Sequence, residues 1–382
     1  MSILKAVTYS KIMIMYKLLL LLCLLFTVPV SAQQYHLLVG TYTDAGSDGL
    51  YTYKFNAQTG DAIAQSSVKT SNPSYLAVSP DNKFVYAVNS DNEGMVSAFQ
   101  FNKQDGSLKF LNKVTSAGAG PCYVSINRKG NIVVAGNYSG GNLAVMEVRQ
   151  DGQLNQPKQI IQLKGSGVNR SRQEKAHVHA TVFSPDYRFL FVPDLGTDKV
   201  MIYKVAAGSG ALQPAEQPFA EVNAGAGPRH IEFHPKLGFA YLIEELTGTI
   251  TVFKYNEGKL TLVQNTSSHP ISYQGAYGSA DIHVSPDGNF LYASNRGDAN
   301  SIAIFRIDQD NGMIQPVGFQ PSLGIHPRNF NFDPTGNFLL VANRDTDEIV
   351  IFKIDKQTGL LEDTKKRIKV SKPVCIKWIV TK

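Results

Sequence analysis

Two sets of positions in this 382-residue chain recur at fixed offsets from a repeated turn. On one stretch they hold groups able to do acid–base and anion chemistry. The turns are Ser79-Pro80-Asp81, Asn127-Arg128-Lys129, Ser184-Pro185-Asp186, His234-Pro235-Lys236, Ser285-Pro286-Asp287 and Asp333-Pro334-Thr335. Five residues before each turn stand Ser74, Cys122, His179, Arg229, Ala280 and Arg328. Ten residues after its first residue stand Asn89, Asn137, Asp194, Glu244, Asn295 and Asn343, followed by Ser90, Tyr138, Leu195, Glu245, Arg296 and Arg344. The first two repeats contribute only Ser, Cys, Asn and Tyr. The later ones contribute His179, Asp194, Arg229, Glu244, Glu245, Arg296, Arg328 and Arg344. Guanidinium forks match the oxygens of carboxylates and phosphate esters. A histidine and a carboxylate beside them supply acid and base. The competing explanation is a plug of mutually satisfied ionic side chains, since such networks also form for structure alone.

The elements that must position these groups are short strands. The turn anchors are spaced 48, 57, 50, 51 and 48 residues apart. Gly-led turns at Gly60, Gly106, Gly152, Gly210, Gly258, Gly312 and Gly359 give a second count of seven units. One copy reads as four strands: the apolar run Ser74–Val78, the run Phe84–Val88, the alternating Met95–Phe101, and Leu108–Val114 after Gly106. A period near fifty built this way predicts an all-β, seven-bladed propeller with one four-stranded blade per repeat. The first copy starts at Tyr35 and lacks its innermost strand, and Val374–Ile379 is the candidate to supply it. The C-terminal strand would then close the ring and remove a free sheet edge. Inner and second strands run antiparallel, so the start of one and the end of the other share a face. Every residue singled out above is thereby expected at one mouth of a central channel.

Residues 1–32 stand outside that ring. Lys11 and Lys17 precede the apolar run Leu18–Phe26, and Val30-Ser31-Ala32 offers small residues before Gln33. This reads as an export signal cleaved after Ala32, with Met15 as an alternative start. It leaves 33–382 as a single domain in a periplasmic or extracellular space, with no membrane insertion of the mature chain. Removing Lys5, Lys11 and Lys17 lowers the formal charge from +6 to +3. That is too little and too scattered for nucleic acid. Cys122 and Cys375 remain as two buried thiols, with no spacing of a zinc site. A closed ring offers few edges to share, which favours a monomer.

Several segments together resemble the seven-bladed lactonase family, which includes propeller-type 6-phosphogluconolactonases and fungal carboxymuconate-lactonizing enzymes. They are Gly227-Pro228-Arg229-His230, Glu244-Glu245-Leu246, the run Ala280-Asp281-Ile282-His283 leading into Ser285-Pro286-Asp287-Gly288, and Asn295-Arg296-Gly297. His177-Val178-His179, His326-Pro327-Arg328-Asn329 and Asn169–Lys175 extend the match over about residues 36–380. The family's Asn-Glu-Leu is Glu-Glu-Leu here. The resemblance implies lactone chemistry without metal or cofactor, centred on His179, Glu245, Arg229 and Arg296, the same four that the offsets select.

The expected activity is hydrolysis of an anionic sugar lactone, 6-phosphogluconolactonase-like, with either His179 or Glu245 activating water. Arg328, Arg344, Asp194, His177 and Asn295 are the expected substrate-binding neighbours. A muconate-type lactonizing isomerase would use the same arginines, and a non-catalytic exported binding propeller would present the same face. His230 follows Arg229 and is expected to turn into its blade. The insertion Lys164–Ala176 and the Tyr- and Gly-rich loop His269–Ser279 both lead onto the active face. The first is placed to cover a pocket and the second to supply Tyr273 or Tyr277 as a wall.

Overall fold

The computed structural model describes residues 34–380 and, outside that span, Met13. Apart from Met13, the proposed signal segment therefore lies outside the described residues. Seven four-stranded antiparallel sheets follow one another in chain order. In the first, Pro373–Val380 takes the inner position beside Gln34–Thr41, with Tyr35 opposite Val380 and Gly40 opposite Cys375. The C-terminal strand thus closes blade one, as the missing inner strand requires. Trp378 on that strand meets Phe55 edge-on at 5.0 Å and helps seal it.

The repeated turns are built by local chemistry. In Ser184-Pro185-Asp186 the serine hydroxyl donates to Asp186 at 2.6 Å and accepts from the Phe189 amide at 3.0 Å. Ser79 and Ser285 repeat the arrangement. Five of the six turns hand the chain to a phenylalanine at the start of the second strand, the third blade using Ile132 instead, and that side chain packs on the next blade's outer turn. Gly312 is the clearest case. Its φ of 69° favours glycine, and a Cβ there would lie 2.3 Å from Phe239. Tyr86, Tyr241 and Tyr292 add hydrogen bonds from second strands to the carbonyls of Gly152, Gly312 and Gly359 in the next blade. The blade-to-blade contacts are otherwise apolar, as in the cluster of Tyr241, Ile243, Ile282, Leu291 and Phe305.

The offsets read from the sequence fall where the strands end. Second strands finish at Asn89, Asn137, Asp194, Glu244, Asn295 and Asn343. The next residue in each blade sends its amide to the carbonyl just ahead of the inner strand. Thus Ser90 bonds Asn72, Tyr138 bonds Gly120, Leu195 bonds His177, Glu245 bonds Gly227, Arg296 bonds Gly278 and Arg344 bonds His326. Blade one obeys the same rule, with the Tyr42 amide on Lys372 at 3.0 Å. The mouth therefore carries a ring of seven equivalent residues, each fixed by one backbone bond.

Candidate active site

Five members of that ring, Tyr42, Ser90, Tyr138, Glu245 and Arg296, line a cavity of about 420 Å³ at the channel mouth. Inner strands add Cys122 and Arg328 from below, and His179 joins them. Blade four has only a short inner strand, Val182–Phe183, so His179 sits just ahead of it. It is held by its amide on the Pro193 carbonyl at 3.0 Å. The last side chain is that of Arg172, from the Lys164–Ala176 insertion, and Gly120 completes the lining.

Glu245 is the organising group. Its Oε2 lies 2.9 Å from Arg229 Nε and 2.9 Å from Arg296 Nη2, and its Oε1 lies 2.5 Å from Arg172 Nη2. Glu245 is only 5 % exposed. Burial alone would raise its pKa, but the Arg296, Arg229 and Arg172 guanidiniums outweigh it and hold the group well below the usual carboxylate range. Burial brings Arg296 down to about 10 even so. His179 Nε2 stands 3.9 Å from the same Oε2. Burial, then Arg229 and His230, keep this imidazole well below its ordinary pKa. The approach is accordingly that of a neutral ring to a carboxylate and not an ion pair. Cys122 Sγ lies 3.8 Å from His179 Nδ1, and burial lifts that thiol to about 12. Cys122 and Cys375 are both free.

Arg229 occupies the level beneath the cavity. It is 1 % exposed and does not line the cavity. Besides Glu245 it reaches His230 Nε2 at 3.3 Å and the Ala280 carbonyl. His230 corrects the sequence reading. A bulge between Pro228 and His230 breaks the alternation of that inner strand, so the histidine faces the shaft and not its own blade. There it meets Tyr123 and His179, each at 5.3 Å between ring centroids. Its Nδ1 lies 2.7 Å from Asp281, whose other oxygen takes His283 Nε2 at 3.1 Å. Burial, aided by Arg229, lowers His230 to about 4, so a neutral ring with Nδ1 protonated links Asp281 to Arg229.

Of the remaining candidates, Arg328 lines the cavity. Among the described residues its guanidinium makes no ion pair or hydrogen bond, and it lies 5.7 Å over the Tyr42 ring. The structure redirects the others. Asp194 accepts from the His177 and Gly196 amides and from Thr197, bracing a loop. Asn295 does likewise, donating to the Ser268 carbonyl and accepting from Ser268 and Ser279. The reason is position: ending a second strand, these side chains turn into the loop that leads to the inner strand. Glu244 shares the position, bonded to Thr251 and Thr247, with burial raising it to about 7. His177 stacks behind Tyr138 at 4.5 Å and bonds its carbonyl, supporting a wall of the cavity. Arg344 pairs with Asp345 in a neighbouring depression. Tyr273 and Tyr277 pack on His269 and do not reach the cavity.

Two contributors escaped the sequence reading. Tyr42 lies in the one blade without an upstream turn anchor, although counting from the end of its second strand would have found it. Arg172 sits in a loop with no repeat register, where the signals were the length of the insertion and the family-like run Asn169–Lys175.

A family model described as a lactonase, 7-bladed beta-propeller, matches residues 36–378. A 6-phosphogluconolactonase of Formosa agariphila is 37 % identical over 333 residues, which is 85 % of this chain and 94 % of that protein. A Bacteroides fragilis crystal structure provisionally assigned as a 6-phosphogluconolactonase superposes with a TM-score of 0.88 at 44 % identity, covering 92 % of this chain and 99 % of the other. The periplasmic gluconolactonase of Pseudomonas aeruginosa gives 0.87 at 35 % identity, covering 91 % and 100 %. With the blade count, the closure and the cavity already in place, the match over nearly the whole ring settles kinship: the chain belongs to the seven-bladed β-propeller lactonase family.

Proposed function

We propose that the cavity hydrolyses a sugar lactone carrying an anionic group, as a 6-phosphogluconolactonase does. The observation that carries this reading is the charge around Glu245. Arg172, Arg229 and Arg296 contact one carboxylate, and Arg328, which lines the same cavity, has no anionic partner among the described residues. Such a cavity favours an anion, and a guanidinium fork favours a phosphate or carboxylate. The names of the relatives agree with a lactone as that anion's carrier.

Glu245 is tied up by arginines, which makes it a poor base. His179 keeps a free nitrogen and is neutral near pH 7, so it takes the proton from water as the oxygen attacks the lactone carbonyl carbon. Arg296 faces the developing oxyanion. Collapse breaks the ring C–O bond, and the departing alkoxide takes the proton from His179. The product acid then ionises, releasing one proton to solvent. Glu245 steadies the histidine while it is charged. The scheme routes no step through a metal. The test follows proton release from 6-phosphogluconolactone and from unphosphorylated gluconolactone, with and without a chelator. A rate no faster than spontaneous opening on both would end the proposal. A large loss on chelation would end its metal-free form.

We also propose that the protein is exported and acts after removal of residues 1–32. The charged start, short apolar run and small residues before Gln33 support this. Mass spectrometry of the secreted or periplasmic fraction should find Gln33 at the N-terminus. An intact Met1 or Met15 on a cytosolic protein would reverse it.

A further inference from the structure

Arg172 differs in kind from the other arginines of the cavity. Arg229 and Arg296 rise from the blades and are buried, whereas Arg172 is borne by a loop and its side chain is 42 % exposed. The loop itself is stapled down. Gln173, fully buried, donates to the Leu195 carbonyl at 2.9 Å and to Asp198 at 2.7 Å, and accepts from the Asn169 amide at 3.0 Å. A fixed loop thus presents a long, solvent-reaching guanidinium over the cavity. Its contacts there are Glu245 Oε1 and the Tyr138 hydroxyl, the latter at 3.2 Å. Among the described residues Arg172 is the sole partner of Oε1, while Oε2 is held by the two buried arginines.

We propose that Arg172 is a substrate-released clasp: the anionic group of the lactone draws its guanidinium off Glu245, and the freed carboxylate then favours the protonated state of His179. This rests on the lactonase reading of the cavity. Arg328, unpaired and lining the same cavity, is the neighbour that would share the arriving anion. Arg172 loses little by the exchange, since a half-exposed arginine trades one oxyanion for another in partly wet surroundings. Glu245 loses one of three cations. Its remaining negative field falls on His179, 3.9 Å away. The other groups facing His179 are Arg229, Arg328, His230, Cys122 and Tyr138; of these Arg328 meets the anion and Tyr138 gives up its contact with Arg172. A neutral lactone brings no group to open the clasp. Arg172 would therefore couple recognition of a remote anion to the strength of the base.

The experiment compares gluconolactone, its 6-phosphate, and gluconolactone with added inorganic phosphate at constant ionic strength, on the wild type and on Arg172→Ala. Added phosphate should raise kcat of the wild type on the neutral lactone about fivefold, the factor an exposed pair of this sort supplies. Arg172→Ala should show that higher kcat without phosphate and no longer respond to it. On the phosphorylated lactone its KM should rise with kcat little changed. A second measurement needs no turnover. NMR titration of the His179 imidazole should show phosphate raising its pKa in the wild type and not in Arg172→Ala. Equal loss of kcat on both lactones in Arg172→Ala, with no phosphate response in the wild type, overturns the clasp. If neither lactone is opened the lactonase reading falls by itself. The imidazole titration then decides the clasp alone, and a pKa indifferent to phosphate overturns it.

Discussion

Replacing Glu245 by glutamine is the most revealing single change, because it separates charge from shape. Glutamine keeps one oxygen for the guanidiniums and removes the one carboxylate that, among the described residues, meets Arg229, Arg296 and Arg172. A hydrogen bond to a charged group contributes about 1.5–3 kcal/mol, roughly twice a neutral one. Halving the contacts of the two buried arginines costs about 2–3 kcal/mol together. The half-exposed Arg172 contact adds little. Arg229, 1 % exposed, is also left with a buried charge and no carboxylate beside it, which brings the total to roughly 3–5 kcal/mol. In a ring of some 350 residues that lowers Tm by roughly 4–7 °C. The vacated charge should make the cavity a better anion site, so inorganic phosphate at about a hundred times its Kd should return roughly 2.7 kcal/mol. Thermal unfolding of both proteins over a phosphate series, with chloride holding ionic strength, reads all of this. Turnover should stay low throughout, because phosphate replaces the charge without restoring the group beside His179. A variant that melts within a degree or so of wild type and ignores phosphate would refute the account of Glu245 as the counter-charge of the cavity.

His179→Gln should cut kcat by about 10²–10⁴-fold with little change in Tm, since the ring is neutral and carries no ion pair to lose; stopped-flow proton release and a melt check both halves. Truncation before Pro373 should unfold or aggregate the protein, because it exposes the edge of Gln34–Thr41 and strips Trp378 from Phe55; a cooperative melt at the wild-type temperature would contradict the closure. In the shaft, burial opposes the charge on His283, but Asp281 and Glu232 outweigh it and lift its pKa to about 10. A raised histidine stabilises fully below its ordinary value of 6.5 and loses that contribution as pH climbs towards 10. Urea midpoints should therefore fall over that window in wild type and stay flatter in His283→Gln.

The ring and its period could be read from the chain because each blade repeats the same local solutions. Ser-Pro-Asp closes one turn by side chain to backbone bonds, and glycine with positive φ closes another against a phenylalanine. No gap separates these signals from the strand ends, so the offsets placed Glu245, Arg296 and His179 at one mouth. The failures have physical causes as definite as the successes. His230 was misdirected because a bulge adds a residue that alternation cannot foresee. Asp194 and Asn295 look chemically like site residues, yet a strand's last side chain is consumed by the loop beside it. Arg172 reaches the cavity along a loop whose path depends on buried Gln173, and no periodicity encodes that path.

Blade one is the only blade whose strands come from both ends of the chain. Pairing Tyr35 with Val380 encloses about seventeen times more chain than pairing strands across a single blade. Since each doubling of a closed loop costs about 0.6 kcal/mol, this clasp is some 2.5 kcal/mol harder to nucleate than any hairpin in the ring. It should form last, on a stack of six blades already in place. The folding barrier then lies near an open crescent, with the first three strands waiting on the final one. Moving the chain ends to the exposed turn near Gly258 would make the clasp an ordinary hairpin. Such a permutant should fold faster while the mouth of the channel keeps its seven fixed residues.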